Sequence, residues 1–288
     1  RNFISPKVDF PLLLAILVLS SLGLLNLAGV FGTESLFFKK QIIFFAIGLI
    51  ILFLNPLIDY RIFKNYPFSS LILFSASVFL LLLTLQAAPV RGVTAWLHLP
   101  LGFSFETSEI VKLALILLLA RYFSSRDNFS NPNIILISGI YAFLVIFLVF
   151  TQPDLGSAVI LFLIWLASIL LFGLTKRQII LMVNFLIIIF LISGFFILQP
   201  YQKSRITSFL TDLSGQSRES YNVLQSKIAI GSAGIFGFGF SNGFQARSGI
   251  LPEAVSDFAL AALIEQFGFV AFIIVIIFYF FILNRLFF

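Results

Sequence analysis

PNIILISGIYAFLVIFLVFTQPDLGSAVILFLIWLASILLF occupies residues 132–172 of the chain. Two apolar runs in this stretch flank the short polar sequence Thr151–Asp154. A run of about 20 apolar residues forms a helix long enough to cross the hydrocarbon core of a bilayer. The stretch therefore predicts two consecutive membrane-spanning helices with a carboxylate in the connection between them.

The composition extends this prediction to the whole chain. Of its 288 residues, 60% are hydrophobic and 10% are charged, whereas soluble domains contain about 25% charged residues. We therefore expect an all-α polytopic membrane protein. The apolar runs predict about eight transmembrane helices, at 11–31, 42–60, 67–87, 107–123, 133–150, 155–173, 179–198 and 257–283. The first run is long enough to span and lacks a small-residue cleavage site, so we interpret it as a retained helix.

The basic residues predict the orientation in the membrane. They cluster before the first predicted helix and after the second, fourth, sixth and eighth, which are all on one side if the N-terminus is cytoplasmic. Cytoplasmic loops of membrane proteins carry an excess of Lys and Arg. Cytoplasmic loop charge and one basic outer loop account for most of the net charge of +6, so we expect no nucleic-acid partner. Lys39 and Lys40 break the pattern, and we assign them to an interfacial helix before the second span.

Two predicted outer loops are long enough to have a function of their own. They cover residues 87–105 and 199–256, and loops of the second length are usually functional or disordered. The second loop contains apolar residues in helical spacing, so we expect it to be ordered. The chain has no internal repeat, which argues against a transporter built from inverted repeats. It also has no cysteine, which excludes disulfides and thiolate metal sites.

Glu109 and Lys112 are the first charged pair inside a predicted span. Residues three apart share one face of a helix, so we expect an ion pair. An intramembrane ion pair is a functional hypothesis by default. The alternative is a salt bridge that only holds two helices in register.

Asp154 is the carboxylate between the two helices of the opening stretch. Pro153 suits the first helical turn, and a carboxylate there meets free N–H groups and the positive end of the helix. Gly156, Ser157 and Ala158 are small enough for a neighbouring helix to approach closely. A helix-start role explains most of this pattern, and a role in a substrate cavity is the sharper alternative.

The long outer loop combines cations, one early acid and many glycines. Lys203, Arg205 and Lys227 beside a flexible backbone could hold a pyrophosphate. Asp212 is the first acid of the loop, although a loop aspartate is more often a turn residue than a catalyst. His98 lies in the shorter loop, and a single histidine cannot build a metal site alone.

Four motifs resemble the SEDS family (shape, elongation, division and sporulation) of the RodA/FtsW type. They are TQPDLGSA (151–158), SEIVKLALILLLARY (108–122), YNVLQSKIAIGSAGIFGFGF (221–240) and LPEAVSDFALAALIEQFGF (251–269). The resemblance implies a single transmembrane domain over 1–288, in a fold of ten transmembrane helices with a large extracytoplasmic loop between the seventh and eighth. It also implies a peptidoglycan glycosyltransferase that polymerises lipid II at the outer face of the bacterial cytoplasmic membrane. The expected partner is a class B penicillin-binding protein within an elongation or division complex, and QSKIAIGS is more similar to the RodA elongation branch.

The resemblance also suggests roles for individual residues. It implies a catalytic acid in the long loop, which we assign to Asp212 with Glu219 as the second candidate. The expected substrate-binding residues are cations for the pyrophosphate, with Mg²⁺ or Mn²⁺ as an optional cofactor, and polar residues that shape the lipid cavity. The cations are Arg91, Arg205 and Lys227, and the cavity residues are Glu109, Lys112 and Asp154.

The chain departs from the family pattern in several places, among them ETSE (106–109), where the family has QPSE. The segment at Asp212 lacks the expected proline, Ala95 stands where an arginine is expected before Trp96, and the last two spans of the family are missing. We therefore expect the chain to be a fragment of a longer protein, with a shortened family member as the alternative. Two alternatives to a polymerase stay open: a lipid II flippase, and an inactive scaffold that recruits the penicillin-binding protein.

Overall fold

The computed structural model describes residues 9–54, 61–87, 94–99, 103–126, 132–173, 175, 178–180 and 218–287. The chain divides into two compact units. Unit 1 combines residues 1–58 with 194–288, and unit 2 covers 59–193. Five helices are long and apolar enough to cross a membrane, which supports an integral membrane protein. The prediction of one domain over 1–288 stays a prediction.

The described elements are almost entirely helical. They are α1 (Phe10–Phe31), α2 (Leu36–Leu54), α3 (Arg61–Asn65), α4 (Pro67–Thr84), β1 (Trp96–Leu99), β2 (Phe103–Glu106), α5 (Thr107–Ser124), α6 (Pro132–Thr151), α7 (Leu155–Phe172), α8 (Arg218–Ser232), α9 (Phe244–Arg247) and α10 (Ala259–Phe287). Six predicted spans coincide with α1, α4, α5, α6, α7 and α10. Most of the predicted span 179–198 lies outside the described residues.

Helix α2 differs from its prediction at the N-terminal end. It begins at Leu36, so Lys39 and Lys40 lie within α2 itself, and the separate interfacial helix that we predicted for them is wrong. Lys39 forms an ion pair with Glu34 at 2.8 Å. The hydrogen bond that Lys39 donates in this ion pair lowers the pKa of the Glu34 carboxyl below its usual range. None of the α2 residues is buried, which suits a helix that faces lipid.

A β-hairpin stands in the shorter predicted outer loop, where we predicted no strand. Trp96 pairs with Glu106 and Leu99 with Phe103 in an antiparallel register. The hairpin leads directly into α5, and the backbone N–H of Thr107 donates to the Ala95 carbonyl at 3.2 Å. The β2 strand therefore fixes the position at which α5 begins.

Unit 2 is a bundle of α4, α5, α6 and α7 around one apolar core. Leu115, Leu119, Val145, Val149 and Leu161 are completely buried at its centre. Side chains of this size gain about 1.5–3 kcal/mol each when they leave water, although a lipid-exposed reference state reduces that gain. The bundle gives the polar residues at its ends a rigid support.

Unit 1 packs α10 against α1 and α8. Asn26 donates from its side chain to the Ala259 carbonyl at 2.9 Å, and Arg285 donates to Asp9 at 2.6 Å. The first contact joins the end of α1 to the start of α10. The second joins the start of α1 to the end of α10. The two helices are therefore antiparallel. The hydrogen bond from Arg285 also holds the pKa of the Asp9 carboxyl below its usual range.

Candidate active site

Asp154 caps helix α7 in unit 2. Its Oδ1 atom accepts a hydrogen bond from the backbone N–H of Ser157 at 3.0 Å. A side-chain cap of this kind satisfies one of the free N–H groups at a helix start. The helix-start interpretation is confirmed. Pro153 lies in the turn before the cap, so the prediction that it occupies the first helical turn is wrong.

Glu106 connects the starts of α5 and α7. The hydroxyl groups of Ser108 and Ser157 both donate to its Oε1 atom, and Ser108 also reaches Ser157 at 3.2 Å. Ser157 is small and buried, as expected at a close helix contact. Sequence reasoning missed Glu106 because its partner Ser157 is 51 residues away in the chain.

Gln152 ties the same end of unit 2 to α4. Its completely buried side chain donates to the Leu81 carbonyl at 3.0 Å and to the Thr84 hydroxyl at 2.7 Å. Its backbone carbonyl accepts from Thr94 at 3.3 Å. Sequence reasoning did not assign a role to Gln152, although an amide between two apolar runs is a signal for a buried polar contact.

Glu109 and Lys112 form the predicted ion pair one helical turn after Glu106. The Lys112 Nζ atom lies 2.6 Å from Glu109 Oε1, and the side chains are 15% and 60% exposed, respectively. The ammonium is therefore the more desolvated partner. The Glu109 carboxylate offsets the free-energy cost of placing the Lys112 ammonium in a partly buried position.

Helix α10 of unit 1 is broken at Gly268, whose φ of 77° is not helical. The carbonyls of Glu265 and Gln266 accept from the backbone N–H groups of Phe238 and Gly239 at 3.0 and 2.8 Å. After the break, Phe269 and Val270 donate to carbonyls of the same glycine-rich segment, at Gly234 and Ile235. The backbone groups that the break releases therefore have partners, as a membrane-embedded helix requires.

The glycines of this segment allow the two backbones to touch. A Cβ atom at Gly237 would collide with the Gln266 carbonyl, and one at Gly268 would collide with the Ile235 carbonyl. Both residues also have a positive φ, which glycine adopts without steric cost. The glycine-rich segment therefore lies in direct backbone contact with α10.

The side chains of Glu265 and Gln266 also form hydrogen bonds to the backbone of residues 241–246. The Glu265 carboxylate is completely buried and accepts from the backbone N–H groups of Gln245 at 2.6 Å and Ala246 at 3.0 Å. The Gln266 amide donates to Asn26 Oδ1 at 2.7 Å and accepts from Ser241 N–H at 3.2 Å. We call this pair the Glu265–Gln266 clamp. It connects α10, α1 and the segment around α9.

Asp257 lies in the turn that precedes α10, and it is exposed. Every other carboxylate whose side chain the structure describes has a hydrogen-bond or ion-pair partner. Asp257 has none. An acid that is not engaged in the fold is available to a ligand. Sequence reasoning quoted LPEAVSDF as a motif but assigned no role to its aspartate.

Comparison with known proteins identifies the family. A family model for FtsW, RodA and SpoVE, described as a cell cycle protein, matches residues 7–288. The chain belongs to the FtsW/RodA/SpoVE family. The curated peptidoglycan glycosyltransferase MrdB of Escherichia coli is 32% identical over 95% of this chain and 72% of its own length. The FtsW of Trichlorobacter lovleyi, a probable peptidoglycan glycosyltransferase, is 28% identical over 99% of this chain and 76% of its own length.

Solved structures agree with the FtsW/RodA/SpoVE fold. A chain of a peptidoglycan synthase complex, studied for its coordination of polymerization and crosslinking, superposes with a TM-score of 0.76, at 24% identity, over 97% of this chain and 77% of that one. RodA of Thermus thermophilus gives a TM-score of 0.64, at 21% identity, over 99% of this chain and 75% of that one. At these identities the likeness shows the fold alone.

Within this FtsW/RodA/SpoVE chain, the predicted site residues fall into three groups. Glu109, Lys112 and Asp154 all lie at the end of unit 2 where α5 and α7 begin. Lys227 is an exposed residue on α8 of unit 1. The remaining candidates lie outside the described residues or have side chains outside them: Arg91, Arg205, Asp212 and Glu219. The described part contains no group of three acidic or histidine side chains that could hold a metal ion.

Removal of Glu109 is expected to cost more than removal of the whole pair. Glu109→Gln leaves the partly buried Lys112 ammonium without its partner, so we expect a loss of about 1–2 kcal/mol in unfolding free energy. The double variant Glu109→Gln/Lys112→Met removes both charges, and we expect it to lose less than about 1 kcal/mol. Thermal unfolding in detergent measures both values. Equal losses in the two variants would show that the ion pair is not what stabilises this position.

Proposed function

We propose that the protein is a peptidoglycan glycosyltransferase that polymerises lipid II at the outer face of the bacterial cytoplasmic membrane, for cell elongation. The curated relatives named as peptidoglycan glycosyltransferases support this reaction class. The single structural observation that carries the proposal is a free carboxylate, Asp257, in the turn before α10, the helix to which the glycine-rich segment is bonded. The RodA-like motif QSKIAIGS supports the elongation role, which the family match leaves open against division.

The reaction needs one base. The base takes the proton from a sugar hydroxyl of the acceptor, the hydroxyl oxygen attacks the anomeric carbon of the donor, and the bond from that carbon to the lipid pyrophosphate breaks. A new glycosidic bond forms with inversion, and the pyrophosphate leaves with the electron pair.

Two carboxylates are candidates for this base. Asp212 is the candidate from the sequence resemblance and lies outside the described residues. Asp257 is the candidate from the geometry, because its carboxylate is exposed and has no partner in the fold. Proton abstraction requires an unengaged acceptor within hydrogen-bond reach of the substrate hydroxyl. We therefore favour Asp257 and keep Asp212 as the alternative.

The leaving pyrophosphate needs fixed positive charge. Cations placed where negative charge develops lower the barrier of such a step. Lys227 is exposed on α8 and has no described partner, and Arg91 and Arg205 complete the proposed set. A divalent cation, if bound, would supply further positive charge to the pyrophosphate.

The remaining proposals concern the lipid and the surroundings. Glu109, Lys112 and Asp154 would shape a cavity for the polyprenyl-linked substrate.

A class B penicillin-binding protein is the proposed partner, and the solved peptidoglycan synthase complex supports a partner that crosslinks. The distribution of basic residues supports a cytoplasmic N-terminus.

Lipid II transport is the second candidate function, and one experiment separates it from polymerisation. The full-length protein would be placed in liposomes with fluorescent lipid II and the penicillin-binding partner, whose transpeptidase serine is replaced. We expect glycan ladders on a gel. Movement of labelled lipid II between the leaflets without ladders would support a flippase instead. Neither signal, from a well-folded complex, would support the scaffold alternative.

A further inference from the structure

A cavity with both polar and apolar lining lies at the opposite end of unit 2 from Glu109. It has a volume of about 180 Å³ and lies between α4, α5 and α6, where Ser70, Arg121, Tyr122 and Tyr141 contribute to its lining. Arg121 stands in the last turn of α5, whereas Glu109 stands in its first turn. The cavity is therefore a separate feature from the proposed substrate site.

Three buried polar atoms of this cavity have no hydrogen-bond partner. They are Ser70 Oγ, Arg121 Nε and Tyr122 Oη, and Ser70 is only 1% exposed. A buried polar group without a partner costs about 1–3 kcal/mol, so three in one cavity indicate that something else binds there. No described residue accepts a hydrogen bond from the Arg121 guanidinium.

The charge around the cavity favours an anion over water. Water could satisfy the hydroxyl groups, but it would leave the guanidinium without a counter-charge. Helix α4 begins three residues before Ser70, and its N-cap residue Tyr66 makes no side-chain capping bond. The positive end of α4 therefore lies near this cavity, where the Ser69 N–H is bonded to the Tyr66 carbonyl at 3.1 Å. Arg126 stands over the Tyr122 ring at 5.3 Å and is not part of the cavity lining.

We propose that this cavity binds the phosphate group of a membrane lipid. Phosphate oxygens can accept together from a guanidinium and from two hydroxyl groups, which matches Arg121, Ser70 and Tyr122 in number and type. The apolar side chains of Leu71 and Leu118 complete the lining, and Leu71 is exposed on the helix surface. An acyl-linked phosphate can use that apolar edge, whereas a free phosphate ion cannot.

The test uses the full-length protein in detergent with short-chain phosphatidylglycerol as the probe, and measures binding by native mass spectrometry. We expect Arg121→Gln to weaken binding by about ten-fold or more, because charge-assisted hydrogen bonds are the strongest contacts available. Arg126→Gln removes the same charge from outside the cavity lining and is the matched control, with an expected change of less than about two-fold. Diacylglycerol, which lacks the phosphate, should not bind at this site.

A second variant distinguishes a loss of lipid binding from a loss of folding. Ser70→Ala/Tyr122→Phe removes the two unpaired hydroxyl groups, and we expect weaker phosphatidylglycerol binding with no loss of melting temperature in lipid-free detergent, because no protein contact is lost. Equal lipid binding by the wild type and Arg121→Gln would overturn the proposal. If inorganic phosphate binds in an Arg121-dependent manner and the lipid does not bind, the phosphate group in the cavity does not come from a lipid, and the proposal is wrong.

Discussion

Gly268→Val is expected to prevent stable folding of unit 1. Residue 268 has a φ of 77° and a ψ of −174°, a conformation that is essentially restricted to glycine and costs other residues about 1–3 kcal/mol. The new side chain would also collide with the Ile235 backbone. Displacing that segment would break hydrogen bonds on both sides of the helix break, so we expect a loss of at least about 4 kcal/mol.

The measurement is thermal unfolding of the purified protein in detergent, with expression level as a second readout. Gly48→Val is the matched control, because a Cβ atom at Gly48 in α2 meets no other atom within 4 Å. We expect that control to stay within about 1 kcal/mol of the wild type. A Gly268→Val protein with wild-type stability would show that the close approach of the two backbones does not hold unit 1 together.

Glu265→Ala is expected to release the segment around α9 from α10. The substitution leaves the backbone N–H groups of Gln245 and Ala246 without their acceptor in a buried position. At about 1–3 kcal/mol for each unsatisfied donor, we expect a loss of about 4 kcal/mol. Glu265→Gln keeps the shape and one acceptor oxygen, so we expect about half of that loss.

Hydrogen exchange can locate this effect. Amide exchange within residues 238–247 should accelerate in Glu265→Ala, most of all at Gln245 and Ala246, whose N–H groups donate to the Glu265 carboxylate. Unit 2 should exchange as in the wild type. Glu34→Gln provides a control at an exposed carboxylate and should leave both exchange and melting temperature unchanged. Unchanged exchange of residues 238–247 in Glu265→Ala would contradict the clamp.

The sequence could predict those features whose physical cause is local. The spans follow from apolar length, the Asp154 cap from its place before α7, and the contact between Glu109 and Lys112 from their spacing on one helix face. The structure has helices at six of the eight predicted spans, and it confirms the Asp154 cap and the contact between Glu109 and Lys112. In each case the residues that decide the outcome lie within a few positions of one another.

The missed features depend on contacts between distant parts of the chain. Gln266 binds Asn26 across 240 residues, and the break at Gly268 is possible only because the segment at Gly237 supplies partners for its backbone. Single-sequence periodicity contains no information on such pairings. The hairpin at Trp96 was missed for a related reason, because each strand has only four residues and its pairing partner decides its conformation.

We propose that Asp257, in the turn before α10, acts as the base of glycan polymerisation, with Asp212 of the long loop as the alternative. The measurement that tests it most directly is the rate of glycan synthesis from labelled lipid II by the full-length protein with its penicillin-binding partner. The variants are Asp257→Asn and Asp212→Asn, with Glu253→Gln in the same segment as the control. We expect Asp257→Asn to lose at least about 100-fold in rate, and Glu253→Gln to retain most activity. Loss in Asp212→Asn alone would return the role to Asp212, and full activity in both aspartate variants would contradict the account.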